Sequence, residues 1–83
     1  MKAQDALRKA FLKFDAWIDP YSLMELEPFV IGSVNSRAFR ERNYESLISN
    51  LVRILKSQEI EDADTKAREI AEYIIFMCRK GCD

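Results

Sequence analysis

Apolar residues recur three and four positions apart in separate segments of the chain, and this spacing restricts its fold more than any other feature. Residues 3–18 give the clearest pattern, with eight apolar side chains on one side of a helical wheel. They are Ala3, Ala6, Leu7, Ala10, Phe11, Phe14, Trp17 and Ile18. The strand-like run at residues 29–31 has no partner run elsewhere, and an unpaired strand is not stable in water. The pattern therefore predicts an all-α fold.

Both prolines mark predicted helix boundaries. Proline disfavours the helical conformation in the residue before it, and it suits the first position of a new helix. The first helix should therefore stop before Asp19, and a second should begin at Pro20 with Asp19 as its N-cap. Pro28 interrupts the second helix, so we expect it to be short, over residues 20–27.

The middle of the chain contains a change of helix phase. One straight helix over residues 33–57 would turn Arg37 and Arg40 into the apolar face and Phe39 away from it. Burying unpaired charge is costly, so the phase is predicted to break near Asn43, the expected N-cap of the next helix. Residues 34–42 should then hold Phe39 in the core and both arginines at the surface.

These boundaries define a compact bundle of four main helices over residues 3–18, 20–27, 43–57 and 63–80. A short extra turn or helix is expected around residues 34–42. Asp62 or Asp64 should cap the last helix, and Gly81 should end it. A chain of 83 residues is short enough to form a single helical domain over residues 1–83.

Composition excludes several classes of protein. Hydrophobic residues make up 48% and charged residues 33%, which is unlike a disordered or low-complexity chain. No apolar run has the length of a membrane span. The first residues lead into alternating charge and not into an apolar signal core. We therefore expect a cytoplasmic protein that has no membrane partner.

The sequence is poor in groups that carry chemistry. It has no histidine, which excludes the Ser-His-Asp and Cys-His nucleophile systems and every histidine-ligated metal site. It also has no Gly-rich phosphate loop, and Glu69 with Glu72 is typical of a solvated helix face. The sequence predicts a protein that is not an enzyme and that has no metal, cofactor or small-molecule substrate.

Cys78 and Cys82 are separated by three residues. This spacing fits neither a C-x-x-C redox motif nor a four-thiolate metal site. On a helix their Cα atoms would lie ~6 Å apart, within the range of a disulfide, but so small a loop would restrain little of the unfolded chain. Reduced thiols are the expected state, and a regulatory disulfide is the alternative.

Apolar residues outside the predicted core indicate a partner surface. Leu12 and Phe76 lie off the core faces of their helices, and Tyr73 and Ile75 lie at the margins of the last one. Residues 21–31 also hold seven large apolar side chains, more than a connector needs. We therefore expect a protein–protein interaction module, such as an adaptor, an inhibitor or immunity-type protein, or a small chaperone. A homodimer centred on Phe76 is the expected assembly, and a complex with another protein through the same face is the alternative.

The uneven distribution of charged residues along the chain indicates an alternative function. Residues 14–36 hold four acids and no base, whereas residues 37–58 hold five bases against two acids. The bases are Arg37, Arg40, Arg42, Arg53 and Lys56. Such a stripe can contact phosphates, although it is small and Tyr44 is its only aromatic neighbour. A small nucleic-acid-binding or transcription-associated protein is therefore the second hypothesis.

Overall fold

Each amphipathic segment forms one helix in the computed structural model, which describes residues 1–83. The helices are α1 (Ala3–Lys13), α2 (Pro20–Asn35), α3 (Arg40–Ser57) and α4 (Ala63–Met77). The chain contains no strand. The predicted all-α bundle of four helices is confirmed, although several helix ends differ from the prediction.

The bundle core comes from the apolar face of every helix. Helix α3 packs between α2 and α4, and α1 closes the bundle by packing on the same two helices. The largest fully buried side chains are Phe11, Leu7, Leu26, Leu47, Leu51, Leu55, Ile70, Ile74, Val30 and Cys78. Each large apolar side chain removed from water contributes about 1.5–3 kcal/mol, so this core holds the four helices in place.

Helix α1 ends at Lys13, five residues before the predicted end at residue 18. Asp15 has a φ of 59°, a left-handed conformation that stops the helix. Beyond it the chain loses the phase of the apolar stripe, and the Trp17 side chain is 67% exposed. The prediction that Trp17 belongs to the core is therefore wrong.

Helix α2 continues through Pro28 to Asn35, so the predicted stop at residue 27 is also wrong. A proline inside a helix removes one backbone hydrogen bond, here the one to the carbonyl of Met24. Met24 and Pro28 are both exposed, so this carbonyl lies on the solvent side of the helix. The start of α2 is as predicted, since the Asp19 carboxylate accepts the Ser22 N–H at 3.3 Å.

The connection between α2 and α3 is a turn over residues 36–39. The helix phase does break, but before Arg40; Asn43 lies inside α3 and does not cap it. Arg37 and Arg40 are exposed, as predicted. Phe39 is 55% exposed, and the prediction that it is buried is wrong, because it precedes α3 and lies under the guanidinium of Arg42.

Helix α4 ends at Met77, before the predicted residue 80. Asp62 occupies its N-cap position but makes no capping hydrogen bond, because its backbone is left-handed with a φ of 54°. Gly81, with a φ of 119°, lies in the turn after the helix. None of the four helices has the length and the apolar character needed to cross a membrane.

Candidate interaction surfaces

The most exposed aromatic side chains of the molecule lie on α2 and just before it. Tyr21 is 75% exposed, Met24 and Trp17 are each 67% exposed, and Pro28 is exposed. Tyr21, Met24 and Pro28 share one side of α2 because they are three and four residues apart. Trp17 precedes the helix at the end that carries Tyr21. We call these four residues the α2 stripe.

The α2 stripe contains no charged side chain. Helix α2 has only two charges, Glu25 and Glu27, and helical geometry places one on each side of the stripe. Glu25 forms an ion pair with Arg53, and Glu27 accepts a hydrogen bond from Gln4 Nε2 at 2.6 Å. Glu25 lines the same surface pocket as Tyr21 and Met24, so its pairing with Arg53 leaves no unpaired charge beside them. Trp, Tyr and Met are enriched at the buried centre of protein–protein interfaces.

The two ends of α2 carry opposite charge. Asp15 and Asp19 precede the helix, and hydrogen bonding from Ser22 lowers the pKa of Asp19, which keeps its carboxylate charged. Arg37, Arg40 and Arg42 follow it, all exposed. A helix of 16 residues is about 24 Å long, so an acidic end and a basic end flank the apolar stripe.

The surface predicted around Phe76 is not one contiguous apolar face. Phe76 is 59% exposed, but the Arg79 guanidinium carbon lies 4.2 Å from its ring centroid. Tyr73 turns toward α1, where it meets Phe14 edge-on at 6.3 Å between ring centroids. Ile75 lies on the other margin of α4, in a groove beside α3.

Leu12 belongs to yet another surface. Its side chain is 79% exposed, and it points away from the buried side of α1. Its neighbour Lys13 is the residue that covers the Tyr73 ring, with the ammonium 5.0 Å from the centroid. The exposure of Leu12 and Phe76 is as predicted, but the structure does not bring the four predicted partner-binding residues together.

The groove beside α3 has a volume of about 400 Å³. It is lined by Ser33, Arg40, Glu41, Tyr44, Glu45, Glu72 and Ile75. Burial raises the pKa of Tyr44, with a further contribution from Glu72, so the phenol remains protonated and can donate a hydrogen bond. Glu41, Glu45 and Glu72 form no ion pair. The groove suits a positively charged group better than an anionic one.

The basic stripe predicted for nucleic acid is divided in the structure. Lys56 lies at the far end of α3, about 21 Å along the helix from Arg42. Arg53, between them, is paired with Glu25. Arg37, Arg40 and Arg42 remain as a cluster at the start of α3, and Arg40 donates to the Val34 carbonyl at 3.4 Å.

Sequence reasoning missed the α2 stripe because it ended the second helix at Pro28. The signal was present in the excess of large apolar residues over positions 21–31. A wheel continued through the proline puts Tyr21, Met24 and Pro28 on one face. A scan against protein-family models and searches of the curated proteins and the solved structures found no match to this chain.

Proposed function

We propose that the protein is a small, non-enzymatic protein–protein interaction module that docks through the α2 stripe onto a second copy of itself. The observation that carries the proposal is the exposure of Trp17, Tyr21 and Met24, each about two thirds or more, where the one neighbouring charge on α2, Glu25, is ion-paired with Arg53. Several large apolar side chains exposed along one short stretch of chain mark an interaction site, because burying them removes apolar surface from water.

Charge complementarity selects a second copy as the occupant. In an antiparallel pair about a two-fold axis, the acidic end of one α2 lies beside the basic end of the other, and the contact occurs twice. A parallel pair would instead bring like charges together at both ends. Exposed ion pairs contribute little to affinity, so their role here is to set the orientation, while the stripe supplies the binding energy.

The size of α2 is compatible with such an interface. A stable dimer buries about 800 Å² on each partner, which is roughly one seventh of the 5391 Å² surface of this chain. The axis would pass near Met24 and Pro28, so that each Tyr21 faces the second half of the opposite α2. Methionine is well suited to this position because its flexible side chain adapts to the surface it meets.

Sedimentation equilibrium of the wild-type protein tests the proposal. Trp17 is the only tryptophan, so its emission reports directly on the stripe. We expect a shift from monomer to dimer with rising concentration, and a blue shift of the emission with the same midpoint. A monomer at the highest concentration would overturn the proposal, and so would a dimer with unchanged tryptophan emission.

The cluster of Arg37, Arg40 and Arg42 supports nucleic-acid binding as a second candidate function. All three side chains are exposed within six residues, and they can contact phosphates. Fluorescence polarisation with duplex and single-stranded probes separates the two candidates, because phosphate binding weakens steeply with salt and an apolar interface does not. The interaction-module proposal predicts no binding to either probe at physiological salt.

A further inference from the structure

Cys78 and Cys82 are in direct contact. Both side chains are buried, and their Sγ atoms lie 3.3 Å apart. The contact does not arise from helical spacing, because α4 has already ended at Met77. A turn brings Cys82 back onto Cys78: Gly81 adopts a φ of 119°, which glycine tolerates best, and its N–H donates to the Cys78 carbonyl at 2.8 Å.

Two other helices hold Cys82 in this position. The Nδ2 group of Asn35, the last residue of α2, donates to the Cys82 carbonyl at 2.7 Å. The N–H of Ala3, the first residue of α1, donates to the Asp83 carbonyl at 2.8 Å. The segment over residues 81–83 is therefore tied to the ends of α1 and α2, and the two thiols face each other inside that arrangement.

We propose that Cys78 and Cys82 form a dithiol site that a small-molecule disulfide oxidises to an internal disulfide bond. A disulfide requires the sulfurs to be about 2.05 Å apart, so they must approach by roughly 1.3 Å. Cys78 lies at the end of α4 and Cys82 lies in the turn that follows it. The adjustment therefore falls on two side chains and this turn, and it does not require the helices to move.

The reaction proceeds by two thiol–disulfide exchanges. One cysteine thiolate attacks a sulfur of the small-molecule disulfide, forms a mixed disulfide and expels the first small thiolate. The second cysteine thiolate then attacks the cysteine sulfur of the mixed disulfide, forms the Cys78–Cys82 bond and expels the second small thiolate. The protein loses two electrons and two protons, and the small-molecule disulfide becomes two thiols.

Burial makes the closed state slow to react. Burial, with the hydrogen-bonded contact to Cys78, raises the pKa of Cys82 to about 12, so its thiolate is scarce at neutral pH. A small-molecule disulfide also has no access to two buried sulfurs. The first exchange therefore follows opening of the segment over residues 79–83. Asn35 is hydrogen-bonded to that segment, and it is therefore a positioning residue that affects the rate of oxidation.

Oxidised glutathione is the probe, and intact mass with free-thiol titration is the readout. The reduced protein should lose both thiols and two hydrogen atoms, and it should retain no glutathione. The Cys82→Ala variant, with one thiol, cannot show this mass loss. A glutathione adduct that persists on the wild type, a disulfide between two chains, or thiols that stay free under conditions that oxidise the urea-unfolded protein would each overturn the proposal.

A matched pair of asparagine variants tests the role of the segment. Asn35→Ala removes the hydrogen bond to Cys82 and should speed the oxidation about fivefold. Asn50→Ala removes a similar bond, of 2.8 Å to the Ser46 carbonyl, and a bond accepted from Arg53 at 3.2 Å, both within α3 and away from Cys82. It should leave the rate unchanged. Equal rates in the two variants would overturn the positioning role of Asn35.

Discussion

Helices α2 and α4 each turn one side to solvent, and the two sides differ in the neighbours of their exposed aromatic residues. On α2, Tyr21 shares its side with Met24, Pro28 and one charged residue, Glu25, which is ion-paired with Arg53. On α4, Phe76 lies among Glu69, Glu72 and Arg79. Removing charged groups from water costs free energy that an apolar contact must offset. The neighbours of an exposed aromatic residue therefore decide whether its surface can serve as an interface.

The largest difference between the two sides should appear when a charge is placed on each. Met24→Glu should weaken the dimer at least about a hundredfold, because both copies would bury a carboxylate near the two-fold axis. Phe76→Glu should leave the dissociation constant unchanged. Sedimentation equilibrium measures both, and circular dichroism checks that both variants fold. The opposite order of effects would place the interface on α4, as the sequence predicted.

Replacing Pro28 of α2 should change the stability of the monomer more than replacing an exposed residue of α4. Pro28→Ala restores an N–H for the Met24 carbonyl and should stabilise the monomer by about 1–3 kcal/mol. Glu69→Ala, at an exposed site of α4, should change stability by less than about 0.5 kcal/mol. Urea unfolding at concentrations where the protein is monomeric gives both values. A loss of stability on replacing Pro28 would show that its ring packs against the bundle.

Reversing the charges at the basic end of α2 tests the antiparallel arrangement. The double variant Arg37→Glu, Arg42→Glu should weaken the dimer about tenfold at low salt, and less as salt rises. The control Lys9→Glu, Lys80→Glu reverses the same number of charges away from α2 and should have no such effect. Equal weakening by both variants would show that net charge, and not the position of the charges, controls association.

Replacing Phe39, in the turn at the end of α2, should have a smaller effect on stability. It is 55% exposed, so Phe39→Ala should cost less than about 1 kcal/mol of unfolding free energy. Phe11→Ala, at a residue that is 1% exposed, should cost about 3–5 kcal/mol. Chemical denaturation compares the two. A large loss at Phe39 would mean that its ring is buried in solution, as the sequence predicted.

Substitutions at the N-caps of α2 and α4 should have the smallest effect on stability. Asp19 caps α2, whereas Asp62 makes no capping bond at α4. Because the folded-state pKa of Asp19 is lowered, its contribution is present above the unfolded-state pKa and is lost as the pH falls through the folded-state value. Asp19→Asn should remove this acid-dependent part of the stability, and Asp62→Asn should not. Thermal unfolding across the acidic range measures the difference.

The helices were predictable because each one buries a periodic apolar side, as Leu7 and Phe11 show for α1. Four of their eight ends were also predicted correctly, at Ala3, Pro20, Ser57 and Ala63. The end of α1 was not, because it depends on contacts between distant residues. The chain after α1 is held by hydrogen bonds between the Trp17 backbone and the Gln58 side chain, 41 residues later. No local pattern contains that information.

The α2 stripe shows how one boundary error hides a surface. The rule that proline ends a helix is sound for a buried site, where the freed carbonyl would have no partner. Pro28 faces solvent, so water can satisfy the Met24 carbonyl and the helix continues. The exposure of one residue therefore decided whether residues 20–35 formed one helix with an apolar side or two unrelated pieces.

Contacts between copies in a mixed sample, half isotope-labelled and half unlabelled, test the central claim most directly. Isotope-filtered nuclear Overhauser spectra select protons that are close across the interface. The account predicts cross-peaks between copies from the Met24 methyl group and the Tyr21 ring to the second half of the opposite α2. Cross-peaks between copies at Phe76 with none from α2, in a sample that sediments as a dimer, would contradict it.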